Sequence, residues 1–263
     1  MRYVRTPKER FEYLPGFPFE ANYADIDGLR MHYVDEGPKD GEVVLMLHGQ
    51  PSWSYLYRKM IPIIADGGFR AIAVDHIGMG RSDKPTDIGI HTFEQQVDWQ
   101  KKFISALGLE DITLFCQDWG SLIGLRTAGD LPELFARIIV ANGTLPVLEK
   151  GGNPFRVQNP VVIDPELGDF SSILPRRGGR LARWFREKLT PLLWARFFQK
   201  WIRYALTAPN FTPSQVVQAV SHIELSPAEL AAYNAPYPSF IYKAAVRTFP
   251  SMVAAIEENN SSA

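Results

Sequence analysis

Short apolar runs alternate with segments of helical periodicity over the first 145 residues. The runs at 43–47, 70–74, 112–116 and 137–141 predict strands buried on both faces of a parallel sheet. Before them, ANYADIDG and LRMHYVDEG meet at Asp27-Gly28 and predict an opening β-hairpin. Apolar residues at helical spacing predict helices over about 52–65, 93–107 and 120–128.

This alternation predicts an α/β fold with a doubly wound, mostly parallel open sheet. We expect residues 1–145 to form the N-terminal part of this core. Strand signals then fade, and residues 146–235 are predicted to be a helical cap insertion, with 236–263 returning towards the core. The cap has a basic middle, interpreted as the solvated face of a helix, with a membrane-surface helix as the alternative. Its members are Arg176, Arg177, Arg180, Arg183, Arg186 and Lys188.

Charge balance and cysteine content exclude some classes of partner and site. The 263 residues include 28 basic and 29 acidic side chains, so nothing favours nucleic acid as a partner. Cys116 is the single cysteine, which excludes an internal disulfide and a cysteine-rich metal site. The charged N-terminus lacks the apolar region of a secretory signal, and no apolar run approaches the ~20 residues of a membrane helix. We therefore expect a soluble, cytoplasmic protein.

The stretch Cys116-Gln117-Asp118-Trp119-Gly120 joins a predicted buried strand directly to a helix. Small residues two positions before and after Asp118 match the sharp turn that exposes a nucleophile above a sheet. A carboxylate there can displace a leaving group from saturated carbon, forming an ester that activated water must hydrolyse. The alternative is that Asp118 only caps the following helix.

Two further motifs support the catalytic interpretation. His48-Gly49-Gln50-Pro51 ends an earlier strand, where a backbone N–H can bind developing negative charge. Gly78-Met79-Gly80-Arg81-Ser82 follows the next strand. The alternative for this second motif is part of a dinucleotide-binding fingerprint, but the third glycine that such a fingerprint needs is absent.

Together HGQPSWSYLYRKM, DHIGMGRSDKP and CQDWG resemble the haloalkane dehalogenases, and nearly the whole chain can be matched to that family. The resemblance implies an α/β-hydrolase core with a helical cap. It also implies hydrolysis of carbon–halogen bonds, with a small haloalkane and water as substrates and halide as a product. The family uses no cofactor or metal.

The resemblance also assigns roles to residues of this chain. Asp118 matches the nucleophile, Trp119 a halide-binding tryptophan, and the backbone N–H groups of Gln50 and Trp119 an oxyanion hole. One branch of the family has a halide-binding Asn at the position of Gln50, so the branch with a second tryptophan in the cap fits better. Trp201 is the candidate for it; Trp184 and Trp194 lie in the same segment, and each could instead anchor the cap core.

Epoxide hydrolases share the Asp at this turn and are the enzymatic alternative. They carry His before the Asp and use cap tyrosines to protonate the epoxide oxygen. Gln117 and the Trp-rich cap favour the dehalogenase, whereas Tyr204 and Tyr233 keep the alternative open.

The late G-H motif that supplies the family's general base has no counterpart here. The five histidines are each expected to have another role; they are His32, His48, His76, His91 and His222. The acid that orients the base is also missing, since Asn142 stands where one branch has Glu. The chain follows the family through YKAAVRTFPSMVA and then ends, which predicts a truncated core, a crippled hydrolysis step, low stability and association through the exposed sheet. A non-catalytic relative is the other alternative.

Overall fold

The computed structural model describes residues 1–143 and 191–253. Its strands lie in the first of these ranges: β1 Tyr3–Val4, β2 Asn22–Ile26, β3 Leu29–Glu36, β4 Val43–Leu47, β5 Arg70–Val74, β6 Lys84–Pro85, β7 Ile112–Gln117 and β8 Phe135–Ala141. Six of them form one sheet in the order β2-β3-β5-β4-β7-β8, and β1 pairs with β6. The hairpin strands β2 and β3 are antiparallel, whereas β5, β4, β7 and β8 are parallel.

The described α-helices are α1 Met60–Asp66, α2 Phe93–Leu107, α3 Trp119–Asp130, α4 Pro191–Thr207, α5 Pro213–Val220, α6 Pro227–Asn234 and α7 Ala244–Met252. Helices α2 and α3 contribute Trp99, Phe103 and Ala128 to a core cluster on one face of the sheet. On the other face, Ile61 of α1 packs with Trp53 and Tyr57. Helices therefore cover both faces of the sheet, which confirms the predicted doubly wound α/β arrangement.

Most predicted elements agree with the structure. The strands at 43–47 and 70–74 and the helix at 93–107 have the predicted bounds, and the hairpin turns at Asp27-Gly28. The other two strands are longer by one or two residues at one end, and the helix after Asp118 is longer by one residue at its start and two at its end. The described part of the predicted cap, 191–235, is helical, whereas 146–190, with the basic middle, lies outside the described residues.

The single continuous helix predicted over 52–65 is wrong. The structure has a 3₁₀ turn at Ser54–Tyr57 and then α1 from Met60. Pro62 explains the break: inside a longer helix it would leave the Arg58 carbonyl unpaired and clash with it. Starting the helix at Met60 places this proline in the first turn, where no N–H is needed.

Helix α4 packs against α7. Arg247 of α7 donates to the carbonyl oxygens of Ala208, at 2.7 Å, and Leu206, at 2.5 Å. These carbonyls lie at the C-terminus of α4, where the helix dipole favours a cation. Among the described residues, no helix combines the length and apolar character needed to cross a bilayer.

Candidate active site

Asp118 occupies a strained turn between β7 and α3. Its backbone has φ 54° and ψ −122°, in a region that L-residues rarely adopt. The turn also requires Gly120, because a Cβ there would overlap the Leu47 carbonyl of β4. The sequence therefore places the Asp118 side chain at the carboxyl end of the parallel strands, the usual location of sites in open α/β sheets.

The Asp118 carboxylate accepts hydrogen bonds from two backbone groups. The Gln50 N–H donates to Oδ1 at 2.9 Å, and the Trp119 N–H also donates to the carboxylate. Gly49 allows the close approach, since a Cβ at that position would overlap the Asp118 side chain. The structure thus brings together Asp118 and the two N–H groups predicted to form the oxyanion hole.

A simple capping role does not describe this carboxylate. Asp118 precedes α3, yet its side chain makes no capping hydrogen bond to the N2 or N3 backbone of that helix. Instead, the N–H and Oγ of Ser121 bind the Asp118 backbone carbonyl, at 2.9 and 2.6 Å. The Asp118 side chain instead binds the turn around Gln50, which follows a different strand, β4.

Burial raises the pKa of the Asp118 carboxyl to about 6, although the hydrogen bonds from Trp119 and Gln50 oppose this rise. The carboxyl is therefore mostly ionised at pH 7. The residue as a whole is half-buried. A half-buried anion with few donors is a suitable nucleophile.

Trp119 and Trp201 belong to the same apolar cluster. Trp119 is 4% exposed and makes an edge contact with Phe249 of α7, with ring centroids 5.3 Å apart. Trp201 of α4 is half-buried and stacks on Tyr204, with Phe211 beside it. Trp184 and the side chain of Trp194 lie outside the described residues.

The tyrosines of the epoxide-hydrolase alternative are separated. Tyr204 lies in the cluster that contains Trp119, whereas Tyr233 packs against Tyr55 in the cluster on the other face of the sheet. Burial raises the pKa of Tyr233, which Arg58 opposes. Of these two tyrosines, Tyr204 therefore shares a cluster with Trp119, the neighbour of the candidate nucleophile.

The five histidines all lie in the described parts of the chain, and none has a ring nitrogen within 4.0 Å of the Asp118 carboxylate. Four are at most 2% exposed, and His222 is exposed in the loop after α5. Asn142 follows β8 and is also exposed. Among the described residues, no three potential metal ligands gather at one point.

Two contributors to the site were missed by the sequence reasoning. Phe249 supplies an aromatic wall to Trp119, and the Gln50 side-chain amide donates to the Val246 carbonyl of α7. The spacing of Val246 and Phe249 in the run AAVRTFPSM is typical of one helix face and could have indicated an apolar surface. No local signal shows that this face meets the turn around Gln50.

A family model described as alpha/beta hydrolase fold matches residues 42–251. The chain is 41% identical to a haloalkane dehalogenase of Mycobacterium marinum, over 96% of the chain and 73% of that relative. It is 37% identical to one of Psychrobacter cryohalolentis, over all of the chain and 74% of the relative. The solved structure of a tetrameric haloalkane dehalogenase from Paraglaciecola agarilytica superposes with a TM-score of 0.74 at 33% identity, covering 96% of this chain and 72% of that one.

Proposed function

Since the chain belongs to the haloalkane dehalogenases of the α/β-hydrolase fold, which makes it a hydrolase, we propose that Asp118 is the nucleophile that cleaves the carbon–halogen bond. The observation that carries the proposal is the half-buried Asp118 carboxylate at the end of β7, bonded to the Gln50 and Trp119 N–H groups. The Gln50 N–H holds Oδ1, which fixes the orientation of the carboxyl for attack on a substrate.

In the proposed first step, a carboxylate oxygen of Asp118 attacks the carbon that bears the halogen. A C–O bond forms while the C–X bond breaks, and the halide leaves with the bonding electron pair. The product is an alkyl ester of Asp118. No proton moves in this step, which requires only that the carboxyl be ionised.

The leaving halide needs donors that do not compete as nucleophiles. An indole N–H donates and has no acceptor character. We assign halide binding to Trp119 and Trp201, which share one apolar cluster in which an anion and an N–H dipole interact more strongly than in water. The apolar cluster around these tryptophans therefore suits an apolar haloalkane.

The second step hydrolyses the ester and requires a base that deprotonates water. The Gln50 and Trp119 N–H groups are placed to stabilise the oxyanion that forms when water attacks the ester carbonyl. Since no histidine ring of the chain contacts Asp118, we propose that the 263-residue polypeptide forms the ester faster than it hydrolyses it.

Incubation with 1-bromobutane, followed by intact mass and bromide determination, tests this mechanism. We expect one bromide per chain and a persistent mass increase of one butyl group, located on Asp118 by peptide mapping. The variant Asp118→Asn should give neither, while Asp111→Asn, a change at another positive-φ aspartate in an exposed loop, should behave as the parent chain.

Other outcomes separate the alternatives. Steady release of many bromides per chain would refute the slow second step while leaving Asp118 as the nucleophile. An adduct with an epoxide and none with 1-bromobutane would favour the epoxide-hydrolase alternative. Absence of both an adduct and bromide release in a folded sample would refute catalysis by this polypeptide and support a non-catalytic role.

A further inference from the structure

A buried group of polar side chains lies behind the turn that carries Gln50. His32, His48, Asp75 and His76 are each at most 1% exposed, and the proposed reaction uses none of them directly. His48 follows β4 and His76 lies two residues beyond β5, so the two rings meet where neighbouring parallel strands end. Their centroids are 4.6 Å apart. The pair therefore lies close to Gln50, whose N–H binds the Asp118 carboxylate.

The two histidines exchange hydrogen bonds that define their protonation. The backbone N–H of His76 donates to Nε2 of His48 at 3.2 Å, so this nitrogen carries no proton. The proton of His48 is then on Nδ1, which donates to the Gly49 carbonyl at 2.9 Å. Nε2 of His76 lies 3.0 Å from the His48 carbonyl, which can only accept, so the His76 proton is on Nε2.

Both rings are neutral in this arrangement. Burial lowers the pKa of His48, and burial together with the neighbouring His48 lowers the pKa of His76 to about 3. The charged group that faces them is Asp75, whose carboxylate is itself held by His32 at 2.7 Å and by the backbone N–H groups of Ser54 and Arg81. Burial opposes the shift, but the contacts with His32 and the Arg81 N–H hold the pKa of Asp75 well below its usual range. The pair therefore keeps one pattern of donors and acceptors over the physiological pH range.

The turn leaves little room for movement. The Gly49 carbonyl accepts from His48 Nδ1 and from the Ser52 N–H, the latter at 3.0 Å. Gly49 lies so close to Asp118 that it has no space for a Cβ, and the next N–H donates to Asp118 Oδ1. Hydrogen bonds weaken steeply with misalignment, so a small displacement of the turn would remove this donor from the carboxylate.

We propose that His48 and His76 are positioning residues for Asp118: their reciprocal hydrogen bonds fix the turn from His48 to Gln50, and the turn fixes the Gln50 N–H on the Asp118 carboxylate. This inference rests on the proposed role of Asp118 as the nucleophile. It adds to that role a reason why the carboxylate remains ionised and oriented although burial disfavours its charge.

The unmodified chain allows a first test. Long-range ¹H–¹⁵N spectra of protein labelled at histidine report the protonation of each ring nitrogen, with assignment by single His→Gln variants. We expect His48 with its proton on Nδ1 and His76 with its proton on Nε2, unchanged from pH 5 to pH 8. The opposite assignment at either ring, or protonation of either ring in this range, would overturn the proposal.

A second test measures the pKa of Asp118 directly by ¹³C spectroscopy of labelled aspartate, assigned with Asp118→Asn. His76→Leu removes the donor to the His48 carbonyl and should raise the pKa of Asp118 from about 6 to about 7. Alkylation by 1-bromobutane should then fall about fivefold at pH 6 and change little at pH 8, as expected from the ionised fraction. His76→Gln places an amide N–H near the lost donor and should restore most of both.

The matched control is His91→Leu, which also removes an imidazole that is 2% exposed and bonded to a backbone carbonyl, that of Pro85. It should lower stability without changing the pKa of Asp118. An equal change in His91→Leu and His76→Leu, or an unchanged pKa in His76→Leu, would overturn the positioning role. The pKa measurement needs no substrate, so a chain that forms no adduct but shows these shifts would refute the proposed function alone.

Discussion

At the scale of single residues, Asp118 combines several features that oppose folding. It adopts a positive φ, and burial disfavours its charge, whereas two backbone N–H groups partly compensate. Residues with strained backbones and displaced pKa values concentrate at functional sites. Activity depends on these features there, although a substitution that removed them would stabilise the fold. The same carboxylate that is proposed to attack the substrate should therefore reduce the stability of the fold.

This trade-off predicts that Asp118→Asn stabilises the protein at neutral pH. The folded-state pKa of about 6 lies above the ordinary value of 3.8, so the folded chain binds the proton more tightly than the unfolded chain. The stability associated with this group is complete below pH 4 and is lost as pH rises through 6. At pH 7.5 the variant should gain about 1 to 2 kcal/mol, given the partial exposure of the residue.

Thermal unfolding at several pH values measures the effect. The melting temperature of Asp118→Asn should exceed that of the parent chain by a few degrees at pH 7.5, and the two should converge towards pH 4. A difference that is independent of pH would show that the ionised carboxylate carries no such cost. Asp111→Asn is the control for loss of an aspartate in an exposed turn.

At the scale of elements, the two ends of α3 differ in how closely their glycines approach neighbouring residues. A Cβ on Gly120 would overlap the Leu47 carbonyl, a backbone atom of a central strand that cannot move aside. Gly129 lies in the same helix and is exposed, and a Cβ added to it would meet nothing within 4 Å. One glycine is thus required by the close approach of helix and sheet, and the other is not.

Substitution of these two glycines by alanine should have opposite effects. Gly120→Ala must displace α3 from β4, so we expect a loss of at least about 3 kcal/mol of unfolding free energy or failure to fold. Gly129→Ala should gain about 0.5 to 1 kcal/mol through helix propensity. Urea unfolding followed by circular dichroism measures both; a tolerated Gly120→Ala would contradict the described approach of Gly120 to Leu47.

The elements also show which parts of the structure local sequence can specify. Buried strands such as Val43–Leu47 and the capped helix Phe93–Leu107 follow from apolar runs and periodicity, and the turn at Asp118 follows from small residues at fixed spacing. The break before Met60 was missed because periodicity alone ignores the position of Pro62. The contacts of Phe249 with Trp119 and of Gln50 with Val246 join residues far apart in sequence, so they depend on how α7 packs.

At the scale of the whole molecule, side chains near the N-terminus link the core to the segment that follows α6. Arg5 pairs with the buried Asp83 at 2.8 Å, beside the β1–β6 ladder. Thr6 and Arg10 donate to the carbonyls of Pro236 and Ala235, which follow α6. Arg247 likewise binds carbonyl oxygens at the C-terminus of α4. Strand β8, in contrast, leaves apolar side chains exposed.

Strand β8 is at the edge of the six-stranded sheet, and its apolar side chains are exposed. Ile138, Ile139 and Val140 are 47%, 47% and 44% exposed, in contrast to the fully buried Leu114 of β7 beside Ile138. An edge strand with apolar residues exposed on both faces offers unpaired backbone groups and apolar surface to another chain. We therefore expect this polypeptide to associate with itself as its concentration rises.

Light scattering coupled to size-exclusion chromatography over a range of concentrations measures this association, and a single lysine should reduce it. Ile139→Lys places a charge on the β8 edge, where it opposes strand pairing and costs little because the side chain is already half exposed. Ile63→Lys introduces the same charge at an isoleucine of α1 that is 72% exposed, and should leave association unchanged. Equal effects of the two lysines would indicate that net charge, not the β8 edge, governs association, and a chain that stays monomeric throughout would refute the prediction.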